Sequence, residues 1–419
     1  MTAWFRASYR LASYLPLEEV AEILAGEQSC GTFTRVAGET ATLKRRHGAR
    51  VGSIHALGET TDVLPGSLNP ENLAVAQLGI VEINFPVENV GPSLTSLLNT
   101  VAGNLFEIRA LAGVKLLDVE IPDGILAAYP GPAAGIEGTR ALIDRAHTGP
   151  IIGTIVKPSI GLAISDFGSL VRTLAESGID FIKDDELNAN PPFAPLAERI
   201  KVAQYEIERA SDLTGKKTMY AFNISDDLDV MLRNADLVAQ SGGTCVMVTI
   251  PTIGLPALRA VRERSSLPIH GHRAGFMGFG RSDALGMSYT VFQKFARMAG
   301  ADHLHVGGVN SKFFETNDSV LASIRSIQEP LGGYRSTLPV LSSAQSAATA
   351  EATYKLVGSD ELMVLAGGGI TGHPGGVPAG VESMKEAWAA AAAGESPSGR
   401  AINSVALAEA LEYFGGAAS

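Results

Sequence analysis

Ile179-Asp180-Phe181-Ile182-Lys183-Asp184-Asp185-Glu186 opens as an apolar strand and ends in a run of charge. A parallel strand covered on both faces has that apolar body, and a barrel strand that carries chemistry has that polar end. Alternation along the strand sends Lys183 and Asp185 to one face, with Glu186 able to join them from the turn. Two carboxylates beside an inward lysine make an oxygen-rich setting for Mg²⁺, which takes near-octahedral oxygen ligands and keeps some waters. The plainer reading is a solvated acidic turn in which Lys183 pairs with Asp185.

The same pattern repeats on both sides of this stretch. Short apolar runs occur at Ile151–Val156, Ile179–Lys183, Thr218–Asn223, Thr244–Ile250, Leu267–His272, His303–Val306, Leu338–Leu341 and Leu362–Ala366, separated by helical stretches. Eight βα units predict closure into a (β/α)₈ barrel, with an open doubly wound sheet as the alternative. Catalytic groups on such a barrel stand at the C-terminal ends of the strands. Lys157 follows the first strand, Lys183 to Glu186 the second, and Asn223 ends the third. His270-Gly271-His272-Arg273 closes the fifth, His303-Leu304-His305 lies in the sixth, Ser342 follows the seventh and Gly367-Gly368-Gly369 the eighth.

Each of these has more than one reading. His270 and His272 share a face, and with His303 and His305 they would suit a binuclear zinc site. The adjoining Arg273 favours an anion clamp instead, and His270 and His303 read best as buried structural histidines. The glycines after strand eight fit a loop whose backbone N–H groups take a phosphate, although tight turns use the same residues. Lys312 lies in a polar loop after strand six, either closing over a substrate or standing on the surface.

Before the barrel, 1–125 reads as an α+β domain of ferredoxin-like order and 126–419 as the barrel. Strands are predicted at Trp4–Ala12, Gly31–Val36, Arg50–Leu57 and Leu78–Phe85, with helices at Pro16–Leu24 and Ser93–Phe106. With 419 residues, 46% hydrophobic and 18% charged, the chain can bury a large core. A net charge of −11 argues against nucleic acid or acidic membranes as partners. Cys30 and Cys245 are too few for a disulfide framework. With neither a signal-peptide layout nor a membrane-length apolar run, a cytoplasmic enzyme is expected.

Gly153-Thr154-Ile155-Val156-Lys157-Pro158, Gly178–Glu186, His270–Ala274, Asp302–His305 and Gly367–Pro374 together resemble the RuBisCO large chain and its non-carboxylating, form IV relatives. Glu27–Phe33 and Gly103–Phe106 extend the likeness to the N-terminal part. The resemblance implies that Lys183 is carbamylated by CO₂ and holds Mg²⁺ with Asp185 and Glu186. It implies that Arg273, His305 and Ser342 bind one end of a phosphorylated substrate, and that Thr32, Lys312, Gly367 and Gly368 bind the other. It places Lys157, Lys183, His272 and Lys312 in the catalytic machinery, with Lys157 exchanging a proton with the enolate carbon. Thr32 and Asn104 would come from the second subunit of a head-to-tail homodimer.

Departures shape the expected reaction. Ser159 stands where carboxylating members carry a second lysine, Phe33 replaces a tryptophan, and Ser342-Ser343-Ala344 replaces a Ser-Gly-Gly segment. Carboxylation of ribulose bisphosphate is therefore not expected. A decarboxylase of a 3-oxo sugar acid, of the 3-oxo-isoapionate 4-phosphate type, suits a site that keeps Lys157 as the acid for reprotonation. An enolase or isomerase acting on a phosphorylated ketose, as in methylthioribulose-phosphate salvage, is the alternative. A Schiff-base aldolase using Lys157 or Lys183 is another.

Overall fold

A computed structural model of the chain describes residues 3–31, 36–144 and 149–415. The chain divides into two compact units, Met1–Tyr129 with Gly275–Phe295, and Pro130–Ala274 with Ala296–Ser419.

In the second unit eight strands close into a parallel barrel: β5 (Ile151–Ile155), β6 (Phe181–Lys183), β7 (Met219–Asn223), β8 (Cys245–Thr249), β9 (Ile269–His272), β11 (His303–Gly307), β12 (Leu338–Leu341) and β13 (Met363–Leu365). Parallel pairing of β13 with β5, through Met363 opposite Ile151, completes the ring. All eight expected strands are present, and closure excludes the open-sheet alternative. The barrel is filled rather than hollow. Ile151, Phe181, Met219, Cys245, Leu338 and Met363 meet inside it, and Ile136 and Ile143 pack against them from the helix Gly135–Leu142 and the residue after it. Each such side chain stabilises by roughly 1.5–3 kcal/mol, and the rigid wall they make fixes where the strand ends point.

The first unit is a five-stranded sheet in the order β10-β4-β1-β3-β2, built from β1 (Trp4–Ser13), β2 (Arg50–Thr60), β3 (Ala76–Pro86), β4 (Gly113–Val119) and β10 (Leu285–Met287). Strands β1 to β4 with the helices Leu17–Glu27 and Leu94–Ala102 give the ferredoxin-like arrangement that the sequence predicts. Details differ. The strand expected at Gly31–Val36 falls mostly outside the described residues, and Gly31 and Val36 themselves are in no strand. The helix expected to run to Phe106 stops at Ala102, where Gly103 turns out of helical backbone at φ −95° and ψ −121°, a close approach to Asn99 O that a Cβ would block at 2.2 Å. A 3₁₀ turn, Asn104–Glu107, follows. Strands β4 and β10 were not marked out in the sequence. Lys115 on β4 is buried and donates to Gly280 O and Ser282 O, which fastens the β10 segment to the sheet. No helix among the described residues is long and apolar enough to cross a membrane.

Candidate active site

The turn after β6 sorts its charges as alternation requires. Asp184 points away from the site into a closed polar cage. Its Oδ1 accepts from Tyr220 Oη at 2.7 Å, and its Oδ2 accepts from Arg199 Nη2 at 3.1 Å and Asn223 N at 2.9 Å. Lys183, 1% exposed, donates to Asp184 O at 2.8 Å and lies 3.9 Å from Glu186 Oε2. Burial lowers its pKa from 10.5 to about 8 against the opposing pull of Glu186, Asp185 and Asp184. Asp185 Oδ2 accepts from Lys157 Nζ at 2.7 Å and Ser159 Oγ at 2.9 Å, and Oδ1 from Leu187 N at 3.1 Å. Burial works against charge on Asp185, yet the Lys157, Leu187 and Ser159 hydrogen bonds outweigh it and hold the carboxyl below its usual range. Asn223 Nδ2 donates to the carbonyls of Asp185 and Glu186 and braces the turn from β7.

Four histidines from β9 and β11 stand together inside the barrel. His270 Nε2 meets His305 Nε2 at 2.8 Å, and His270 Nδ1 meets His303 Nδ1 at 3.4 Å. His305 Nδ1 reaches Ser342 Oγ at 3.0 Å. Burial drives the pKa of His303 down to about 3 and those of His270, His272 and His305 well below the ordinary value, so all four rings are neutral. His270 and His305 spend a ring nitrogen on each other, which leaves the binuclear zinc reading without its ligand set. His272 packs edge-on against the His305 ring, centres 4.4 Å apart, with Nε2 at 3.5 Å from Glu186 Oε2 and Nδ1 accepting from Ala274 N.

Arg273 forms a two-pronged ion pair with Glu315, Nη1 to Oε1 at 2.9 Å and Nη2 to Oε2, with Glu315 almost fully buried. Glu315 was not singled out in the sequence; its only signal there is an acidic side chain in the loop after the sixth barrel strand. After β12, Ser343 and Ala344 keep left-handed backbone, φ +71° and +55°, although neither is glycine. Gly367-Gly368-Gly369 opens the short helix Gly367–Thr371. A Cβ at Gly367 would come within 3.8 Å of Lys157 Cε, one at Gly368 would meet open space, and one at Gly369 would lie 2.3 Å from Gln345 O. Lys312 is exposed, its Nζ 5.7 Å from the Phe313 ring centre. Asn104 belongs to the first unit, where Nδ2 donates to Glu27 Oε1 at 3.0 Å. Thr32 lies outside the described residues.

Among the described residues no three His, Cys, Asp or Glu side chains form a ready-made metal site. The donor chemistry nevertheless fits a hard cation once Lys183 gains CO₂. The nitrogen is buried with its proton loosened, and a carbamate there adds oxygens to those of Asp185 and Glu186. A closed parallel barrel with paired carboxylates, an acidified lysine and a second lysine at the strand ends defines a (β/α)₈ enzyme.

The family follows from direct comparison. Residues 135–414 match the ribulose bisphosphate carboxylase large chain catalytic domain and residues 7–125 its N-terminal domain, so the chain belongs to the RuBisCO large-chain family. It is 48% identical over 398 residues to 3-oxo-isoapionate-4-phosphate transcarboxylase/hydrolase of Xanthobacter autotrophicus, covering 94% of this chain and 95% of that one. It is 39% identical to 3-oxo-isoapionate-4-phosphate decarboxylase of Rhizobium etli, covering 92% and 93%. Among solved structures, a rubisco-like protein from Burkholderia fungorum superposes with a TM-score of 0.90 at 38% identity, covering 98% and 99%. The dimeric archaeal Rubisco of Hyperthermus butylicus superposes at 0.85 and 29% identity, covering 98% and 95%.

Proposed function

We propose that this chain forms an enolate from a phosphorylated 3-oxo sugar acid by breaking the bond to its carboxyl carbon, releasing that carbon as CO₂. Lys157 carries the reading. Its Nζ lies 2.7 Å from Asp185 Oδ2 and 2.7 Å from Ser159 Oγ, at the edge of the Lys183–Glu186 site. Decarboxylation needs an acid to reprotonate the enolate carbon, and in this reading Lys157 serves as that acid. Both named relatives act on 3-oxo-isoapionate 4-phosphate, which supports the substrate class. With Ser159 where carboxylating members have a second lysine, addition of CO₂ to ribulose bisphosphate is not part of this reading.

Lys183 as its carbamate, Asp185 and Glu186 would hold Mg²⁺. When bound, the ion polarises the substrate carbonyl and supports the negative charge that develops on its oxygen. Asn223 and Asp184 keep the turn in place, and Ser159 shares Asp185 with Lys157 so that both are oriented before substrate arrives. Neutral His272 keeps Nδ1 on the Ala274 N–H, so its Nε2 carries the ring hydrogen and faces Glu186 as a donor. Arg273 and Ser342 face one end of the substrate, with His305 behind Ser342 at 3.0 Å, and Thr32, Lys312, Gly367 and Gly368 take the other. The functional unit is a head-to-tail homodimer in which Thr32 and Asn104 serve the neighbouring barrel, a reading supported by the dimeric archaeal Rubisco.

The Xanthobacter relative's name favours a second fate for the carboxyl carbon, transfer followed by hydrolysis. Substrate labelled with ¹³C at the carboxyl, incubated with enzyme, Mg²⁺ and unlabelled bicarbonate, separates the two. Decarboxylation moves the label into CO₂ and leaves a product one carbon shorter. Transfer and hydrolysis keep the label in an organic product. An intact substrate, with solvent deuterium entering phosphorylated ketoses instead, contradicts both and supports the isomerase.

A further inference from the structure

The histidines inside the barrel form one column with a definite direction. The column begins at the N-terminal end of the barrel, where the helix Gly135–Leu142 packs against the interior. Asp302 Oδ1 accepts from Ala134 N at 2.6 Å and Gly135 N at 2.9 Å, which holds the Gly135 peptide still. Thr139 Oγ1 donates to Gly135 O at 2.6 Å and meets His303 Nε2 at 2.8 Å. A carbonyl can only accept, so the single hydroxyl hydrogen of Thr139 is committed to Gly135 O. Reversing the column would leave two oxygens 2.6 Å apart with no hydrogen between them.

Each later contact follows from that commitment. Thr139 accepts from His303 Nε2–H, so His303 Nδ1 is bare and takes His270 Nδ1–H across 3.4 Å. His270 Nε2 is then bare and takes His305 Nε2–H at 2.8 Å. That leaves His305 Nδ1 bare, and it accepts the Ser342 Oγ hydrogen at 3.0 Å. The depressed basicity of all three rings agrees with one hydrogen per ring.

We infer that Thr139 is a positioning residue: through His303, His270 and His305 it turns the Ser342 hydroxyl hydrogen inward, so that Ser342 meets the substrate as a hydrogen-bond acceptor. Ser342 therefore selects a substrate hydroxyl rather than an anionic oxygen, and His305 acts through Ser342. The column ends on a carbonyl that cannot take up a proton, so it orients and does not conduct. The kinetic part of this inference rests on the proposed reaction; the tautomer assignment does not.

Nitrogen NMR of the full chain, labelled with ¹⁵N-histidine, reads which ring nitrogen carries hydrogen. In the unmodified protein the expected result is hydrogen on His303 Nε2, His270 Nδ1 and His305 Nε2. Thr139→Val removes the acceptor at the same size, and the His303 and His305 signals should move towards mixed tautomers. KM for 3-oxo-isoapionate 4-phosphate should rise about tenfold, the worth of one hydrogen bond, with kcat changed far less. Thr139→Ser should restore both. Hydrogen on His305 Nδ1 in the unmodified protein overturns the inference without any variant. So does a Thr139→Val protein whose tautomers or KM match the parent. Absence of turnover by the parent would count against the proposed reaction, and the tautomer readings would still decide the column.

Discussion

Lys183 is held between two opposing demands. Its amine is buried, which favours the neutral form, while three nearby carboxylates favour the charged one, and burial prevails. Only the neutral amine reacts with CO₂. With a folded pKa near 8, carbamate formation at fixed dissolved CO₂ should rise about tenfold per pH unit below that value and level off above it. Stopped-flow activation of Mg²⁺-dependent turnover after a bicarbonate jump measures this, and a pH-independent rate would contradict it. Ser343 gives a second test at this scale. Its φ of +71° strains a residue with a Cβ, and its buried Oγ has no hydrogen-bond partner among the described residues. Ser343→Gly should stabilise the fold by about 1 kcal/mol, the relief of strain and of a buried hydroxyl exceeding the entropy glycine adds to the unfolded chain. Thermal unfolding reads it; a lower Tm would show that the hydroxyl has a partner in solution.

At the scale of elements, the turn after β6 depends on the helix Leu196–Thr214, whose first turn presents Arg199. Arg199 and Asp184 are both fully buried, and Arg199 also donates to the carbonyls of Asn188 and Ala189. Arg199→Ala leaves a buried carboxylate short of its cation and should cost about 3–5 kcal/mol in urea unfolding. A loss below 1 kcal/mol would mean that water replaces the guanidinium, roughly the value of an exposed pair. The barrel strands were legible in the sequence because burial on both faces writes a continuous apolar run. The sorting of Lys183 and Asp185 from Asp184 was legible because strand alternation is local. What was not legible depends on partners distant along the chain. Strand β10 is three residues long and exists through pairing with β4. Arg199, Tyr220, Glu315 and Thr139 matter through side chains that the closed barrel brings to them, and no periodicity records that. Lys312 was read from its polar loop as closing over a substrate or standing on the surface, and Asn104 was singled out by resemblance to a family; the single chain places the first on the surface and the second in the first unit.

For the whole molecule, the proposed sharing of a site between two subunits makes complementation the test. Mixing Asn104→Ala with Lys183→Ala chains after unfolding and refolding should restore about a quarter of the parental activity, because half the dimers are mixed and each has one intact site. No recovery would place Asn104 and Lys183 in the same chain's site. Beneath this lies the claim that the RuBisCO-family barrel here still builds a cation site from Lys183, Asp185 and Glu186. Carbon NMR of the protein with ¹³C-bicarbonate and Mg²⁺ tests it most directly. A slowly exchanging carbamate resonance is expected, absent from Lys183→Met and strongly weakened in Asp185→Ala. A spectrum with bicarbonate alone, or a carbamate signal that survives in Lys183→Met, would contradict it.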